Sequence, residues 1–382
     1  MPLDPPIDIA SLPGPVQRIV GTTAPPAMRM MAARGAVPGL RPEQIATVVV
    51  IFAREELAHI DASVRETARA TLAKLAPPIR DSALSSTEVP AGVLDVLVTL
   101  FIDDDASMER VLMNPSIGVD TVKRIARTAS EKVTEIVATN EERLLAFPSI
   151  IEALYMNKKT RMSTADRVLD LAVRNGKQLN IPAFKEAAEA IVDELITEAG
   201  SEPTPDDILF AEATQHAERL DREGFTIDVI KADDEGKEVV EEKAKPLEQR
   251  IREMTISQKV RMATLGTVSA RSLLVRDKNR IVATAVVRSP LLQEGEAASY
   301  ASSRAVSEDV LRIIASNGDL VKSHIIKYNL VANPRTPIAS AMRLIVHLRS
   351  DELKKLAKSK NVSGQIAKLA KQELDKKKPG SG

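Results

Sequence analysis

Apolar positions along this chain recur at spacings of three and four, the period of helices that bury one face, without the alternation of a half-buried strand. From Glu43 onward the stretches ATVVVIFAREELA, ASVRETARATLAKL and VLDVLVTLF succeed one another, separated by Pro, Asp and Ser. Apolar runs of that length with short punctuated joints predict a train of helices of roughly 10 to 15 residues. The expected fold class is all-α.

Punctuation then divides the chain. Residues 1–42 hold nine prolines, each removing a backbone donor and fixing φ, so they are expected to form a Pro-rich N-terminal arm with one short turn around Met28 to Arg34. Residues 43–199 read as an N-terminal helical-repeat module. Across 200–246 the composition changes to SEPTP and EGFTIDVIKADDEGKEVVEEKAKP, where Asp233, Asp234, Glu235, Glu238, Glu241 and Glu242 crowd among lysines. That composition predicts a charged, flexible linker. Helical periodicity resumes as a C-terminal module over 247–374, followed by a polar tail, 375–382.

The two modules look like copies. Residues 130–140 read SEKVTEIVATN and residues 307–317 read SEDVLRIIASN; six of eleven positions are identical at an offset of 177. Ser130 and Ser307 stand where a side chain caps a helix N-terminus. Val133, Ile136 and Val137, like Val310, Ile313 and Ile314, form a stripe that must be buried. Asn140 and Asn317 stand at helix ends, where Asn tolerates the left-handed conformation. Similarity extends to 150–171 against 325–348, and to MNPSI (113–117) against RSPLL (288–292). The dipeptides NP at 114 and NK at 157 are 43 residues apart, and SP at 289 and NP at 333 are 44 apart. A finer echo, A-[SK]-S-[RK]-x-V-S, joins 301–307 to 357–363. Self-similarity at this period marks an α-solenoid, in which each unit buries its apolar face on its neighbours.

One phrase carries a resemblance. In NLVANPRTPIASAMRLIV, residues Leu330, Ala332, Asn333, Pro334, Thr336, Pro337 and Leu344 follow the L-A-x-N-P-x-T-P-x-x-x-x-x-L phrase, with Val331 and the local spacing departing from it. The segment resembles the leucine-rich-repeat-variant and HEAT-like families of bacterial α-helical repeat proteins, and 247–374 is similar to bacterial proteins of repeated alanine- and leucine-rich helices. The resemblance implies HEAT-like helical repeats in two related modules joined by the charged linker. The leucine-rich-repeat-variant prototype is associated with an iron–sulfur module, which a chain without cysteine does not hold.

Composition narrows the chemistry. Aromatic residues make up only 2% and Trp is absent, so the core must be built from aliphatic side chains. The absence of cysteine removes disulfides, thiolate nucleophiles and cysteine-ligated metals and points to a reducing, cytoplasmic setting. The acidic, proline-bearing start MPLDPPIDIA does not read as a secretory signal, and no run of some 18 apolar residues suggests a membrane span. Lys plus Arg and Asp plus Glu are both 53, so no global field draws in nucleic acid or an anionic membrane.

Individual candidates favour bland readings. Asp103, Asp104 and Asp105 are adjacent and diverge on any regular element, which reads as a helix end and N-cap rather than a cation site. His59, His216, His324 and His347 are scattered without an H-x-x-x-H pair. Glu55 and Glu56, and the carboxylates of RETARATLAK, read as a solvated helix face. No G-x-S-x-G elbow or phosphate-binding glycine loop occurs. The sequence therefore predicts no catalytic site, no metal and no cofactor.

A basic stretch remains. From Arg349 to Lys378, ten basic residues face four acids, an excess of six positive charges. Arg349, Lys354, Lys355, Lys358, Lys360, Lys368 and Lys371 form the candidate partner-binding surface, with Lys376, Lys377 and Lys378 beyond them. The bland counterpart is a solubilising end cap, which a solenoid requires. The favoured reading is a non-enzymatic scaffold that binds another protein, with no membrane partner. The alternative is a nucleic-acid-binding HEAT-like protein, DNA-glycosylase-like in form; against it, Tyr300 and Tyr328 are the only aromatics in the C-terminal half.

Overall fold

In the computed structural model, which describes every residue except 1–6, 56, 193, 197–199, 201, 234–236, 360 and 378–382, proline starts helices more often than it interrupts them. Pro15, Pro26, Pro42, Pro77, Pro148, Pro205 and Pro246 all lie in first turns. The missing N–H is harmless there, because first-turn donors have no intrahelical acceptor. The regular structure of the described residues is almost entirely helical, with one two-stranded sheet. They divide into two compact units, Met1–Leu179 and Asn180–Gly382.

The first unit opens with α1 (Gly14–Val20), α2 (Pro26–Ala33), α3 (Pro42–Ala53) and α4 (Ala62–Ala73). It continues with α5 (Pro77–Ser85), α6 (Ala91–Leu100), α7 (Asp105–Leu112) and α8 (Val119–Thr128). It closes with α9 (Glu131–Ala138), α10 (Glu141–Ala146), α11 (Pro148–Met156) and α12 (Met162–Arg174). Each helix rests on the one two places along: α3 on α1 and α5, α7 on α5 and α9, α8 on α6. Of the stretch expected as an arm, residues 7–42 instead belong to this unit, and residues 1–6 lie outside the described residues. α1 buries Val16, Ile19 and Val20, and α2 packs on α3 and α4.

The second unit comprises α13 (Phe184–Ile191), α14 (Pro205–Arg222), the hairpin β1 (Ile230–Ala232) and β2 (Glu238–Val240), then α15 (Lys245–Glu253), α16 (Ile256–Leu265) and α17 (Val268–Leu274). After these come α18 (Arg280–Val287), α19 (Glu294–Ser302), α20 (Glu308–Ser316), α21 (His324–Ala332), α22 (Ile338–Ile345), α23 (Ser350–Lys358) and α24 (Gly364–Lys377). Helices α16, α18, α20, α22 and α24 stack in turn, and α19 packs on α21. The expected linker, 200–246, is built into this unit. α14 buries Ala213, Ala217 and Leu220, and the Asp221 carboxylate accepts from Val268 N and Ser269 N, each at 3.0 Å, capping α17. Charge-rich composition misled because those charges act as caps and ion pairs. Asp234 and Glu235 lie outside the described residues.

The NP and NK dipeptides acquire a physical role. Asn114 Nδ2 donates to Leu84 O at 2.9 Å and Ser86 O at 3.0 Å, and Asn157 Nδ2 donates to Ala126 O at 2.9 Å and Ala129 O at 3.2 Å. Asn333 Nδ2 donates to Ala301 O at 2.9 Å and Ser303 O at 2.7 Å. In each case the Oδ1 accepts, at 2.9 Å, from the backbone N–H two residues on, in Ser116, Lys159 and Arg335. Ser289 does half the work, donating to Thr264 O at 2.7 Å. A buried carbonyl at a helix C-terminus has no partner in its own helix, and the side-chain amide supplies one.

The matched segments also behave alike. Val133 and Val310 are buried, Ile136 and Ile313 half-buried, and Val137 and Ile314 buried. Two local expectations need correction. Ser130 caps α9 by accepting from Val133 N, whereas the buried Ser307 hydroxyl makes no hydrogen bond to a described residue. Helix α20 starts instead with Glu308 and Asp309 against its positive end. Asn140 and Asn317 are not left-handed (φ −92° and −80°). Asn140 caps α10 through Arg143 N at 3.0 Å, and Asn317 Oδ1 accepts from Asp319 N at 3.0 Å, so both favour their own local turns.

The Asn333→Ala variant strands two buried carbonyls, and a loss of about 1–3 kcal/mol is expected as a lower urea midpoint of the full chain. An unchanged midpoint would contradict the role assigned to this amide.

Candidate partner-binding surface

The basic stretch occupies α23 and α24, which pack on each other. Leu353 and Leu356, three residues apart, turn one face of α23 inward, leaving Lys354, Lys355 and Lys358 exposed on the other. In α24, Ile366 and Ala370 are buried while Lys368 and Lys371 are exposed. Arg349 is exposed at the N-cap of α23. None of these six side chains forms an ion pair with a described residue. Lys360 and Lys378, the remaining members of the stretch, lie outside the described residues.

Two of the balancing charges are diverted. Glu352 turns to His324, whose Nε2 lies 2.8 Å from its carboxylate, and also accepts from Arg349 N at 2.8 Å. Glu373 is taken up by Lys376 at 2.6 Å. Lys377 points to backbone rather than solvent partners, donating to Val346 O at 3.0 Å and Leu348 O at 2.6 Å. It serves the end of α22 as the buried asparagines serve other helix ends. The stretch thus divides into a structural part, Lys376 and Lys377, and six unengaged cations.

Two further features accompany these cations. Ile338, Met342 and Val346 recur every four residues and are 42%, 47% and 43% exposed, an apolar stripe without a described partner. Arg343 and His347 are exposed alongside them, and no carboxylate interrupts the stripe. A cavity of about 260 Å³ lies between the two copies of the A-[SK]-S-[RK]-x-V-S echo. Ser302 and Arg304 come from one copy, Ser359 and Asn361 from the other, with Tyr328 and Leu356 beside them, and no carboxylate lines it.

The other candidates resolve into structure. Asp104 accepts from Ser107 Oγ at 2.7 Å and pairs with Arg80 at 3.1 Å, and the Ser107 hydroxyl is the chief cause of its lowered pKa. Asp105 accepts from Ser130 Oγ at 2.6 Å, and Asp103 is exposed, so the three carboxylates do not converge. His59 Nε2 lies 2.8 Å from Val20 O. His216 sits beside Arg219, and burial followed by that guanidinium holds its pKa below the ordinary value. Glu55 pairs with Arg69 at 2.9 Å, and Glu56 lies outside the described residues.

One buried constellation went unread in the sequence. Arg271, 2% exposed, donates from Nε and Nη2 to the two carboxylate oxygens of Glu296, both at 2.8 Å, and from Nη1 to Gly266 O at 2.6 Å. Tyr300 Oη donates to Glu296 Oε1 at 3.1 Å, and burial, then the Glu296 charge, pushes its phenol up. These groups satisfy one another, and none of them lines the cavity beside Arg304. The arrangement locks α17 to α19. The only legible signal was the box formed by Gln293 and Glu296, in which Glu296 Oε2 accepts from Gln293 N at 2.9 Å.

Compared with known proteins, the chain matches no family model, no curated protein and no solved structure. The resemblance carried by residues 330–344 therefore rests on that phrase alone. No helix among the described residues is long and apolar enough to cross a membrane.

Lys377→Met is expected to cost about 1–3 kcal/mol in chemical denaturation, because it removes a charged donor from two carbonyls. Lys371→Met, on the unengaged face, is expected to stay within about 0.5 kcal/mol. Glu296→Ala leaves the Arg271 charge buried without its partner, and about 3–5 kcal/mol should be lost. Equal midpoints for the two lysine variants would remove the distinction between them.

Proposed function

We propose that this protein is a non-enzymatic scaffold, an α-solenoid of HEAT-like helical repeats in two related modules, that binds an acidic protein through its C-terminal end. The repeat reading is supported by helices that stack two places along in each unit and by the same asparagine bonding at 114, 157 and 333. Stacked repeats create extended surfaces by construction.

The observation that carries the partner reading is the set of six exposed, unengaged cations on α23 and α24 together with the apolar stripe of α22. Exposed apolar groups supply binding energy at the centre of an interface. Surrounding cations steer an acidic partner and fix its register. A partner carboxylate fits the acid-free cavity beside Arg304 and Tyr328. Nucleic acid is less well served, because Tyr300 is buried and Tyr328 half-buried, leaving no exposed aromatic platform for bases in this unit's repeats.

The test is capture of partners on the full chain from lysate of the source cells, with and without nuclease treatment, identified by mass spectrometry and then purified. Direct titration of the purified acidic partner should weaken at least tenfold when Lys354, Lys355 and Lys358 are all replaced by Glu. Met342→Asp should weaken it by a similar factor, about 1.4 kcal/mol or more. Binding that vanishes with nuclease would favour nucleic acid, and binding indifferent to all four substitutions would reject this surface.

A further inference from the structure

The segment with linker-like composition builds one wall of a cavity of about 620 Å³ in the second unit. That volume falls within the range of small-molecule sites, roughly 300–1,000 Å³. It exceeds the 260 Å³ of the cavity beside Arg304. Its walls are the hairpin, α15, α16, α17 and the loop after α17.

The hairpin's register explains the lining. Ile230 pairs with Val240, so their side chains share one face, and both line the cavity. The next pair, Lys231 with Val239, faces the opposite way, and Val239 is 45% exposed. The third pair returns to the first face, and Glu238 accepts from Arg276 Nε at 2.5 Å, tying the hairpin to the end of α17. Strands of three residues are too short to hold themselves in water, so this tie and the apolar contacts keep the hairpin in place. With Ile251 and Leu273, the hairpin pair gives the cavity an apolar side.

The remaining lining is charged and unbalanced. Among the lining residues Arg252, Lys259, Arg276 and Lys278 outnumber Glu248 and Asp277, and Glu238 holds Arg276, so Lys278 is the one lining cation without an acidic partner among the described residues. Arg252 is held by Glu248 at 2.6 Å and Lys259 by Asp277 at 3.4 Å. An ammonium has three N–H donors, so the pairing with Asp277 leaves Lys259 able to bind more. Lys278 is exposed and forms no ion pair with a described residue.

We infer that this cavity binds a small amphiphilic anion. Its apolar body lies against Ile230, Val240, Ile251 and Leu273, and its carboxylate or phosphate is held by Lys259 and Lys278. Ile230 and Val240 are half-buried at this open cleft, and a ligand body that covers them removes their remaining apolar surface from water. A nucleotide and a fatty carboxylate both present this chemistry. The inference is independent of the partner surface proposed for α22 to α24.

Isothermal titration of the full chain with ADP and, separately, with decanoate tests it and distinguishes the two sources. One of them should saturate at a single site, and Lys278→Glu, at an exposed position, should weaken that binding about tenfold or more. Val240→Trp should abolish it by filling the cavity from the hairpin, with circular dichroism confirming intact helices. Ligand should also slow amide exchange in residues 230–240 of the unaltered protein. Failure of both ligands to bind at millimolar concentration, or binding unchanged by both substitutions, overturns the inference.

Discussion

Buried carbonyls at the ends of helices are the constraint on which the rest of this structure depends. Stacking short helices brings many C-termini together, and each leaves carbonyl groups that its own helix cannot satisfy. Asn114, Asn157 and Asn333 are 2%, 4% and 5% exposed, and each bridges two such carbonyls while accepting a backbone N–H two residues on. Asparagine suits the task because one short side chain carries two donors and an acceptor. Towards the chain's ends longer cations substitute: Arg29 Nη2 donates to Gly21 O at 3.0 Å and Thr22 O at 2.8 Å, and Lys377 joins Val346 O and Leu348 O.

This constraint explains what was legible in the sequence. The spacing of NP, NK and SP is visible because a hydrogen-bonding role permits few residue types, whereas aliphatic core positions exchange freely. The all-α class was equally legible, since Leu353 with Leu356, or Val133 with Val137, declare their buried faces by spacing. Boundaries were not. A proline-rich stretch looks like an arm until its prolines fall in first turns, and 200–246 looks like a linker because composition does not reveal that Asp221 caps a helix or that Glu238 meets Arg276.

The basic surface shows a different limit. Counting charges found the stretch, but a count treats every lysine and glutamate alike. Lys377 is spent on backbone carbonyls and Glu352 on His324, partners 28 or more residues away. Nothing local in the sequence identifies those contacts. The acid-free cavity was similarly half legible: the echo between 301–307 and 357–363 was plain, but not that its two copies would face one space.

The buried amides also connect the frame to the surface. Asn333 bonds to Ser303 O, and the neighbouring Arg335 Nη1 bonds to Arg304 O at 2.9 Å, so the backbone that presents Arg304 is held from below. A guanidinium on a tethered loop loses less freedom on meeting a carboxylate than one on a loose segment. The same chemistry that closes the helix ends therefore prepares the cavity beside the basic helices. In the strands Ile230–Ala232 and Glu238–Val240 the tie from Glu238 to Arg276, together with apolar contacts, holds the chain beside the larger cavity.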